Sequence, residues 1–440
     1  MNMKIAPTIV RKKLNSAISA ISDISWLYSR NPDSDFTRER KLPMRSLIHL
    51  LLEFSGKSLQ SEISAYYVSP GKKYQRVPTK SAFTQQRQKL LSEGCYALFR
   101  SFTDSLPCLK LFEGYRLLAC DGSSVCIPRN EMEELFSIVA KEGCKSYNML
   151  HINGLFDIIN RIYVDARIDP GLCRKESAAL LAMIKRLDKP EASIVLADRG
   201  YEGYNTIAHL IESMVNFVIR AKDLDSNGFL HTLHIPPEGE FDIDVNKIIT
   251  CSRRKIYKND SRYVWIHRRA FDLWDSDGMY SIQFRLVRIK LSDGSYECLV
   301  TNLPRDRFPL KKLKKLYHLR WDIENAYRDL KYSVDLLHFH GKSAQAVLQE
   351  VYCSLTMFNY YAYLCVHVDI PHSHKNTKYR YKVNFANAVG PCRAYLHGSI
   401  SEEELLDRLR LALTPIRPDR HVPRQRIEEQ SSREFNYRAS

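Results

Sequence analysis

Apolar and polar positions change their spacing along the chain, which divides it into three regions. Residues 1–110 have mostly helical spacing. The helices that this spacing predicts are 47–54, 57–67 and 82–91. The last of them follows a turn and carries amides and cations on its predicted outward face, a pattern that suits the major groove of DNA. We therefore predict a helical N-terminal DNA-binding domain at 1–110, in which Gln86 and Arg87 contact DNA; a plain bundle helix is the alternative.

The middle region, 111–345, contains short apolar runs that suit buried strands. The predicted strands are 116–120, 149–156, 162–166, 194–197, 217–219 and 298–301. Helical patterns near 175–187 and 203–213 lie between some of them, so the region is predicted to form a mixed α/β sheet. Within it, 223–296 alternates polar and apolar positions and shows no good helix, which indicates a β-rich insertion. The strands predicted inside this insertion are 255–257, 263–268 and 283–289.

Two long helices are predicted near 309–334 and 343–366. Residues 346–440 are accordingly predicted to form a helical C-terminal region that ends in a tail. From Thr414 onward, basic residues stand among prolines and few apolar anchors remain, which predicts a basic tail. The arginines of this tail are Arg417, Arg420, Arg424, Arg426 and Arg433.

The charge balance indicates what the chain binds. Its 440 residues carry a net charge of +16 at pH 7, and 44% of them are hydrophobic. A folded protein with this cationic surplus is expected to bind a polyanion, of which nucleic acid is the first candidate. The sequence has no apolar run of membrane-spanning length and no secretory signal, so we expect a cytoplasmic protein with no membrane partner. The eleven cysteines lack metal-binding spacing and are expected to be reduced.

Two aspartates occupy similar positions in the predicted sheet. Asp121 directly follows the apolar run 117–120, and Asp198 directly follows 194–197. A turn containing glycine comes after each of them. Two buried strands that both end in this way would bring the two carboxylates to the rim of one sheet. Either aspartate alone is more often a turn former or a helix cap.

A third carboxylate lies in the most distinctive segment of the chain. Tyr317, Arg320, Glu324 and Lys331 stand at offsets of 0, 3, 7 and 14, which places all four on one face of a helix. A carboxylate, two cations and a phenol on one stripe suit metal binding and phosphate contacts better than a core. A solvated helix with an Arg320–Glu324 ion pair is the alternative.

Three converging carboxylates without His or Cys suit a hard divalent cation, Mg²⁺ or Mn²⁺. Two such cations in one active site are the usual arrangement for phosphoryl transfer in nucleases. The sequence contains no Gly-rich phosphate loop ending in Lys-Ser or Lys-Thr, so no nucleotide cofactor is expected.

These motifs resemble those of the DDE transposases of bacterial insertion sequences, specifically insertion-sequence family four. The matches are Asp121-Gly-Ser, Asp198-Arg-Gly-Tyr and the signature Y-x-x-R-x-x-x-E-x6-K, which runs from Tyr317 to Lys331. The resemblance covers roughly 110–345 and implies an RNase H-like mixed sheet that carries the β-rich insertion. It also implies a helical N-terminal domain before the sheet.

The resemblance implies a role for each matched residue. The catalytic residues and metal ligands would be Asp121, Asp198 and Glu324. The residues that hold phosphates of the transposon end would be Tyr317, Arg320 and Lys331. Trp321 resembles an aromatic residue that helps to hold a flipped base, and core packing is its alternative role.

The function implied is that of a transposase in the bacterial cytoplasm, associated with the nucleoid. It would bind the terminal inverted repeats of its element, free a 3′-hydroxyl by cleavage and join that end to target DNA, as a homodimer in the DNA complex. Two alternatives remain open. One is an RNase H-like nuclease or resolvase on branched DNA, and the other is a catalytically inactive DNA-binding protein derived from a transposase.

Overall fold

The computed structural model describes residues 5–38, 42–68, 77–139 and 145–416, apart from 225, 227, 234, 236–238, 292 and 371–378. Of the basic tail predicted from Thr414 onward, residues 417–440 with all five arginines lie outside the described residues, and 414–416 belong to a short strand. Within the described part, no helix is long and apolar enough to cross a membrane. The ten cysteines in that part are free thiols, as the sequence predicts for them.

Helices lie before, within and after the sheet. The N-terminal helices are α1 (Pro7–Asp23), α2 (Met44–Leu52), α3 (Leu59–Val68), α4 (Lys80–Arg87) and α5 (Ser92–Ser105). The helices within the sheet region are α6 (Glu176–Ile184), α7 (Tyr204–Glu212) and α8 (Lys255–Lys258). The later helices are α9 (Leu310–His318), α10 (Asp322–Arg328), α11 (Ala344–His367), α12 (Phe385–Leu396) and α13 (Glu402–Leu411). The side chain of Ser343 caps α11 by accepting a hydrogen bond from the backbone N–H of Ala346.

Ten strands form one mixed sheet in the described residues. They are β1 (Arg116–Ile127), β2 (Ser137–Ile138), β3 (Tyr147–Asp157), β4 (Ile162–Pro170), β5 (Ser193–Ala197), β6 (Asn216–Ala221), β7 (Phe241–Thr250), β8 (Tyr263–Trp265), β9 (Met279–Lys290) and β10 (Tyr296–Thr301). Their order is β2-β3-β1-β5-β6-β10-β9-β7-β8, and β4 also pairs with β3. Strands β1, β5 and β6 run parallel to one another, whereas β3 is antiparallel to β1 and to β4. The predicted mixed α/β sheet is therefore confirmed.

The predicted β-rich insertion extends this same sheet. Strand β10 pairs with β6, and β9 and β7 continue beyond it to the edge strand β8. One predicted strand of the insertion, 255–257, is wrong, because these residues begin the short helix α8. The backbone N–H groups of Tyr257 and Lys258 both donate to the carbonyl of Arg254, which closes a helical turn. Three residues are too few for their apolar pattern to distinguish the two structures.

The N-terminal helices share a core with helix α11. The rings of Tyr96 and Tyr352 lie 5.2 Å apart, and the side-chain amide of Asn359 donates a 2.8 Å hydrogen bond to the hydroxyl of Thr103. Apolar residues of both regions belong to one buried cluster, which also contains one face of the sheet. The predicted domain boundaries near 110 and 345 remain predictions, and the hydrophobic core continues across both of them. A small second sheet, β11 (Arg380–Val383) with β12 (Leu413–Ile416), lies near the C-terminal end.

Arg87 does not lie on the outward face of its helix, so that part of the prediction is wrong. It is only 5% exposed and pairs with Glu350 of α11 at 2.7 Å. Its guanidinium also donates to the side chain of Gln349 and to the carbonyl of Ala346. Burial with a fully paired guanidinium makes Arg87 part of the helix packing. Gln86 is half-buried and donates to the carbonyl of Leu42, and its contact with DNA stays a prediction.

Candidate active site

The two aspartates of the sheet lie side by side. Cys120 of β1 pairs in parallel register with Ala197 of β5, so Asp121 and Asp198 are the next residues on adjacent strands. Oδ1 of Asp121 accepts a 2.9 Å hydrogen bond from the N–H of Gly122. Oδ1 of Asp198 accepts a 2.8 Å hydrogen bond from the N–H of Gly200. This bond caps the short 3₁₀ helix Arg199–Tyr201 at its N-terminus. The structure thus places the two carboxylates next to each other, as the sequence predicts. The prediction that both strands end there is wrong for β1, which continues to Ile127 because Asp121 and the residues after it pair with β3.

Arg320 links Asp121 to the third carboxylate. One guanidinium nitrogen of Arg320 lies 3.8 Å from Oδ2 of Asp121, and another lies 3.3 Å from Oε1 of Glu324. Arg320 is only 4% exposed, and no hydrogen bond to its Nε is found among the described residues. Burial opposes its charge, but the surrounding Tyr317 and carboxylates hold its pKa above the ordinary value. A buried cation between two carboxylates lowers their mutual repulsion.

The helix that carries the signature is not regular. A 3₁₀ turn, Leu319–Trp321, separates α9 from α10, and a π-helical turn, Asp329–Ser333, follows α10. The predicted continuous helix at 309–334 is therefore a helical segment with two changes of pitch. The segment still directs Lys331 toward β1, where its ammonium group donates a 3.0 Å hydrogen bond to the carbonyl of Ser124. Such irregular turns are frequent at functional sites.

The remaining signature residues surround Arg320. Its guanidinium lies 5.0 Å from the ring centre of Trp321 and 5.9 Å from that of Tyr317. Trp321 is 39% exposed, so core packing does not account for the whole indole. Tyr317 is buried, and burial raises the pKa of its phenol to about 12. Lys331 is half-buried, and burial lowers its pKa.

The surroundings of Asp121 disfavour its ionised form. Burial raises its pKa to about 6, and the neighbouring Asp198 and Glu324 add to this effect. The hydrogen bond from Gly122 and the charge of Arg320 act in the opposite direction but do not cancel it. A cation at this position would favour the ionised form.

Two residues that the sequence did not indicate lie beside the aspartates. Glu176, in the first turn of α6, has Oε1 3.1 Å from Nε2 of His151 on β3. His151 is 3% exposed, and its Nδ1 lies 3.1 Å from the hydroxyl of Ser124. The contact with His151 holds the pKa of Glu176 below its ordinary value. The available signal was His151 itself, a titratable residue inside an otherwise largely apolar predicted strand.

The donor chemistry of the site fits a hard divalent cation, although its carboxylates are not gathered into a coordination sphere. Across the described residues, no group of three or more His, Cys, Asp or Glu is close enough to hold a metal ion. Carboxylate oxygens are nevertheless the ligands that Mg²⁺ and Mn²⁺ prefer. The raised pKa of Asp121 is what a site for a cation is expected to show in the metal-free state.

A sequence model of the transposase DDE domain matches residues 113–360 of the 440 in the chain. The chain belongs to the DDE transposase family. The match includes Asp121, Asp198 and Glu324, and it extends through the insertion to the middle of α11. Transposition and DNA recombination are the processes that this family serves. The narrower assignment to insertion-sequence family four stays a prediction.

Comparisons with curated protein sequences and with solved structures add little to the family assignment. No curated protein sequence matches this transposase. Among solved structures, the fold is similar to that of the piggyBac transposase in its synaptic complex with hairpin DNA. The sequence identity is 13%, the TM-score is 0.43, and the match covers 94% of this chain and 86% of the other. A likeness at this score supports no argument about the site.

Proposed function

We propose that this transposase binds the terminal inverted repeats of its element and cleaves and joins DNA with two divalent cations in one RNase H-like active site. The observation that carries the proposal is the adjacent placement of Asp121 and Asp198 on parallel strands, with Arg320 joining Asp121 to Glu324. The strand order β4-β3-β1-β5-β6, antiparallel on one side of β1 and parallel on the other, supports the RNase H-like part of the proposal.

Each residue of the site has a role in this proposal. Asp121, Asp198 and Glu324 would hold Mg²⁺ or Mn²⁺, which would activate the attacking hydroxyl and stabilise the leaving oxygen. Arg320 holds Asp121 and Glu324 close to each other before DNA arrives. Lys331 places its ammonium group beside β1, at the carbonyl of Ser124 three residues after Asp121. Trp321 offers an exposed ring on which a base can stack.

The tip of the insertion, defined as residues 251–270, supports a DNA partner. It contains seven Lys or Arg residues and one Asp. Arg253 lies 5.1 Å from the ring centre of Trp265, which is 45% exposed. The exposed cations of the tip that have no carboxylate partner among the described residues are Arg253, Arg254, Lys255, Lys258, Arg268 and Arg269. Guanidinium-rich surfaces of this kind suit phosphate groups.

The tip is connected to the active site through helix α7, which follows Asp198. The backbone N–H of Asp272 donates a 3.2 Å hydrogen bond to the side chain of Asn205, and His209 contacts the carboxylate of Asp272. The tip is therefore attached, through Asp272 two residues beyond it, to the helix that follows Asp198. We infer that it contacts the backbone of DNA that is held at the active site, a sequence-independent interaction.

The test is metal-dependent cleavage of a labelled duplex that carries the element's terminal inverted repeat. Wild type is compared with Glu324→Gln and with Glu403→Gln, a control change at an exposed glutamate of α13. We expect cleavage at the repeat boundary by wild type and the control and none by Glu324→Gln, which still binds the repeat. Cleavage by Glu324→Gln would overturn the catalytic assignment.

The same experiment separates the two alternative functions. Cleavage of branched duplexes regardless of their sequence would favour a nuclease or resolvase. Repeat binding without cleavage in Mg²⁺ or Mn²⁺ would favour an inactive DNA-binding protein. The homodimer and the location in the bacterial cytoplasm are further parts of the proposal, and light scattering of the repeat complex tests the first.

A further inference from the structure

We propose that Glu176 is a fourth carboxylate ligand of the metal site and that the buried His151 positions it. This inference rests on the proposed metal-dependent function. Glu176 lies outside the three matched motifs. The surroundings of its side chain are the evidence for this role.

The carboxylate of Glu176 lies between Gly122 of strand β1 and the turn that follows Asp198. An atom at the Cβ position of Gly200 would lie 3.0 Å from Oδ1 of Asp198 and 3.2 Å from Oε2 of Glu176. The same point is thus within reach of both carboxylates. On the other side, a Cβ on Gly122 would lie 3.0 Å from Oε1 of Glu176. Only glycine leaves this space open beside Asp121 and Asp198.

His151 fixes the orientation of Glu176. Its ring is buried on β3, and Nε2 points at Oε1 of Glu176 over 3.1 Å, although without the alignment of a full hydrogen bond. Nδ1 of the same ring is engaged by the hydroxyl of Ser124, whose carbonyl accepts from Lys331. The contact with His151 occupies one oxygen of Glu176 and leaves Oε2 directed toward the turn of Asp198. Carboxylates that bind metal ions are themselves commonly held by polar groups outside the coordination sphere.

Glu176 is accessible to a hydrated cation. It lines an open groove of about 600 Å³ together with Gly200 and Asn205. Its wall includes Gly200 of the turn that follows Asp198, and it is also lined by Asp272 and by the cations Arg174 and Lys175. A cation in this groove would contact the carboxylate of Glu176. Two carboxylates with several remaining water ligands are the usual surroundings of Mg²⁺ in proteins.

The test measures Mn²⁺ binding to the metal-free protein without DNA, by calorimetry and by the paramagnetic resonance of free Mn²⁺. The variants are Glu176→Gln, Asp121→Asn and the control Glu191→Gln, an exposed glutamate before β5. We expect Glu176→Gln to lose one bound Mn²⁺ or to weaken Mn²⁺ binding about tenfold or more, with an unchanged melting temperature. The control is expected to bind as wild type does.

A double-mutant cycle tests the role of His151. His151→Ala should weaken Mn²⁺ binding in the wild-type background but have little further effect once Glu176 is Gln. If Glu176→Gln binds Mn²⁺ with wild-type stoichiometry and affinity while Asp121→Asn does not, Glu176 is not a ligand and the proposed function stands. If wild type itself binds no Mn²⁺, both proposals fail. If Glu176→Gln does not fold, Glu176→Asp replaces it, for which weakened binding is again expected and unchanged binding overturns the assignment.

Discussion

Arg87 and Glu350 form a buried ion pair of 2.7 Å between helices α4 and α11. Glu350 also accepts hydrogen bonds from the backbone N–H groups of His340 and Gly341. The pair therefore joins the N-terminal helices, helix α11 and the segment that follows the signature helix. Both charges are buried and each is the counterion of the other. Removing either residue would therefore leave an unpaired charge in the low dielectric of the protein interior.

We predict that Arg87→Ala lowers the free energy of unfolding by roughly 3–5 kcal/mol, since it leaves Glu350 buried without its cation. Urea denaturation measures this change. The control is Gln85→Ala, at an exposed position of the same helix, which should change stability by less than about 0.5 kcal/mol. A small effect of Arg87→Ala on stability, combined with a large loss of DNA binding, would return Arg87 to the DNA-contacting role.

The second prediction concerns Asp121 in the absence of divalent metal. Burial raises its pKa to about 6, above the ordinary value of a free aspartate, so the folded state binds more protons than the unfolded chain between these two values. Stability is accordingly lost as pH rises through this window and stays lower above it. At pH 7.5 in chelator, Asp121→Asn should raise the free energy of unfolding by on the order of 2–3 kcal/mol. This gain should disappear near pH 4.

Urea denaturation at both pH values checks this prediction, with Asp407→Asn on the exposed side of α13 as the control. Added Mg²⁺ should stabilise the wild type and not Asp121→Asn, because binding to the folded state alone raises stability. If Asp121→Asn is less stable than wild type at pH 7.5 in chelator, burial does not destabilise the ionised Asp121 and the prediction fails.

The placement of Asp121 beside Asp198 could be predicted because it depends only on local patterns. Each aspartate directly follows a buried apolar run, and the two runs pair in parallel register up to Cys120 and Ala197. Glu324 could be predicted because the signature residues all lie within 317–331. These are short-range features that apolar periodicity and helical spacing determine.

The features that the sequence did not indicate depend on contacts between distant segments. Arg87 has the local pattern of an outward-facing residue, and only the packing of α11 against α4 supplies Glu350 as its partner. Glu176 begins a predicted helix, and its nearness to Asp198 follows from where that helix crosses the sheet. The 3₁₀ and π turns around α10 likewise contain no proline or glycine from which a change of helical pitch could be predicted.

The third prediction concerns the tip of the insertion. Replacing Arg268 and Arg269 by Gln should weaken binding of any duplex and reduce the slope of log affinity against log salt concentration by up to about 2, since each lost phosphate contact contributes about 0.9. Fluorescence anisotropy across a salt series measures the slope. The matched control replaces Arg408 and Arg410, which pair with carboxylates of their own helix. An unchanged slope would exclude the tip from the DNA interface.

The last prediction tests whether the space beside Gly122 is needed. A Cβ at this position would collide with the imidazole of His151, which is buried and has no room to withdraw. Gly122 has an ordinary strand conformation, so steric overlap and not backbone strain decides the outcome. Gly122→Ala should therefore cost about 1–3 kcal/mol of stability and displace the side chains that face Asp121.

The control for this change is Gly390→Ala inside helix α12, where a Cβ meets no atom within 4 Å. That substitution should be neutral or stabilise the protein by about 0.5–1 kcal/mol, because alanine favours the helix over glycine. Thermal denaturation and Mn²⁺ titration of both variants check the pair. If Gly122→Ala keeps wild-type stability and Mn²⁺ affinity, His151 and Glu176 move aside freely. The fixed orientation of Glu176 by His151 would then be excluded.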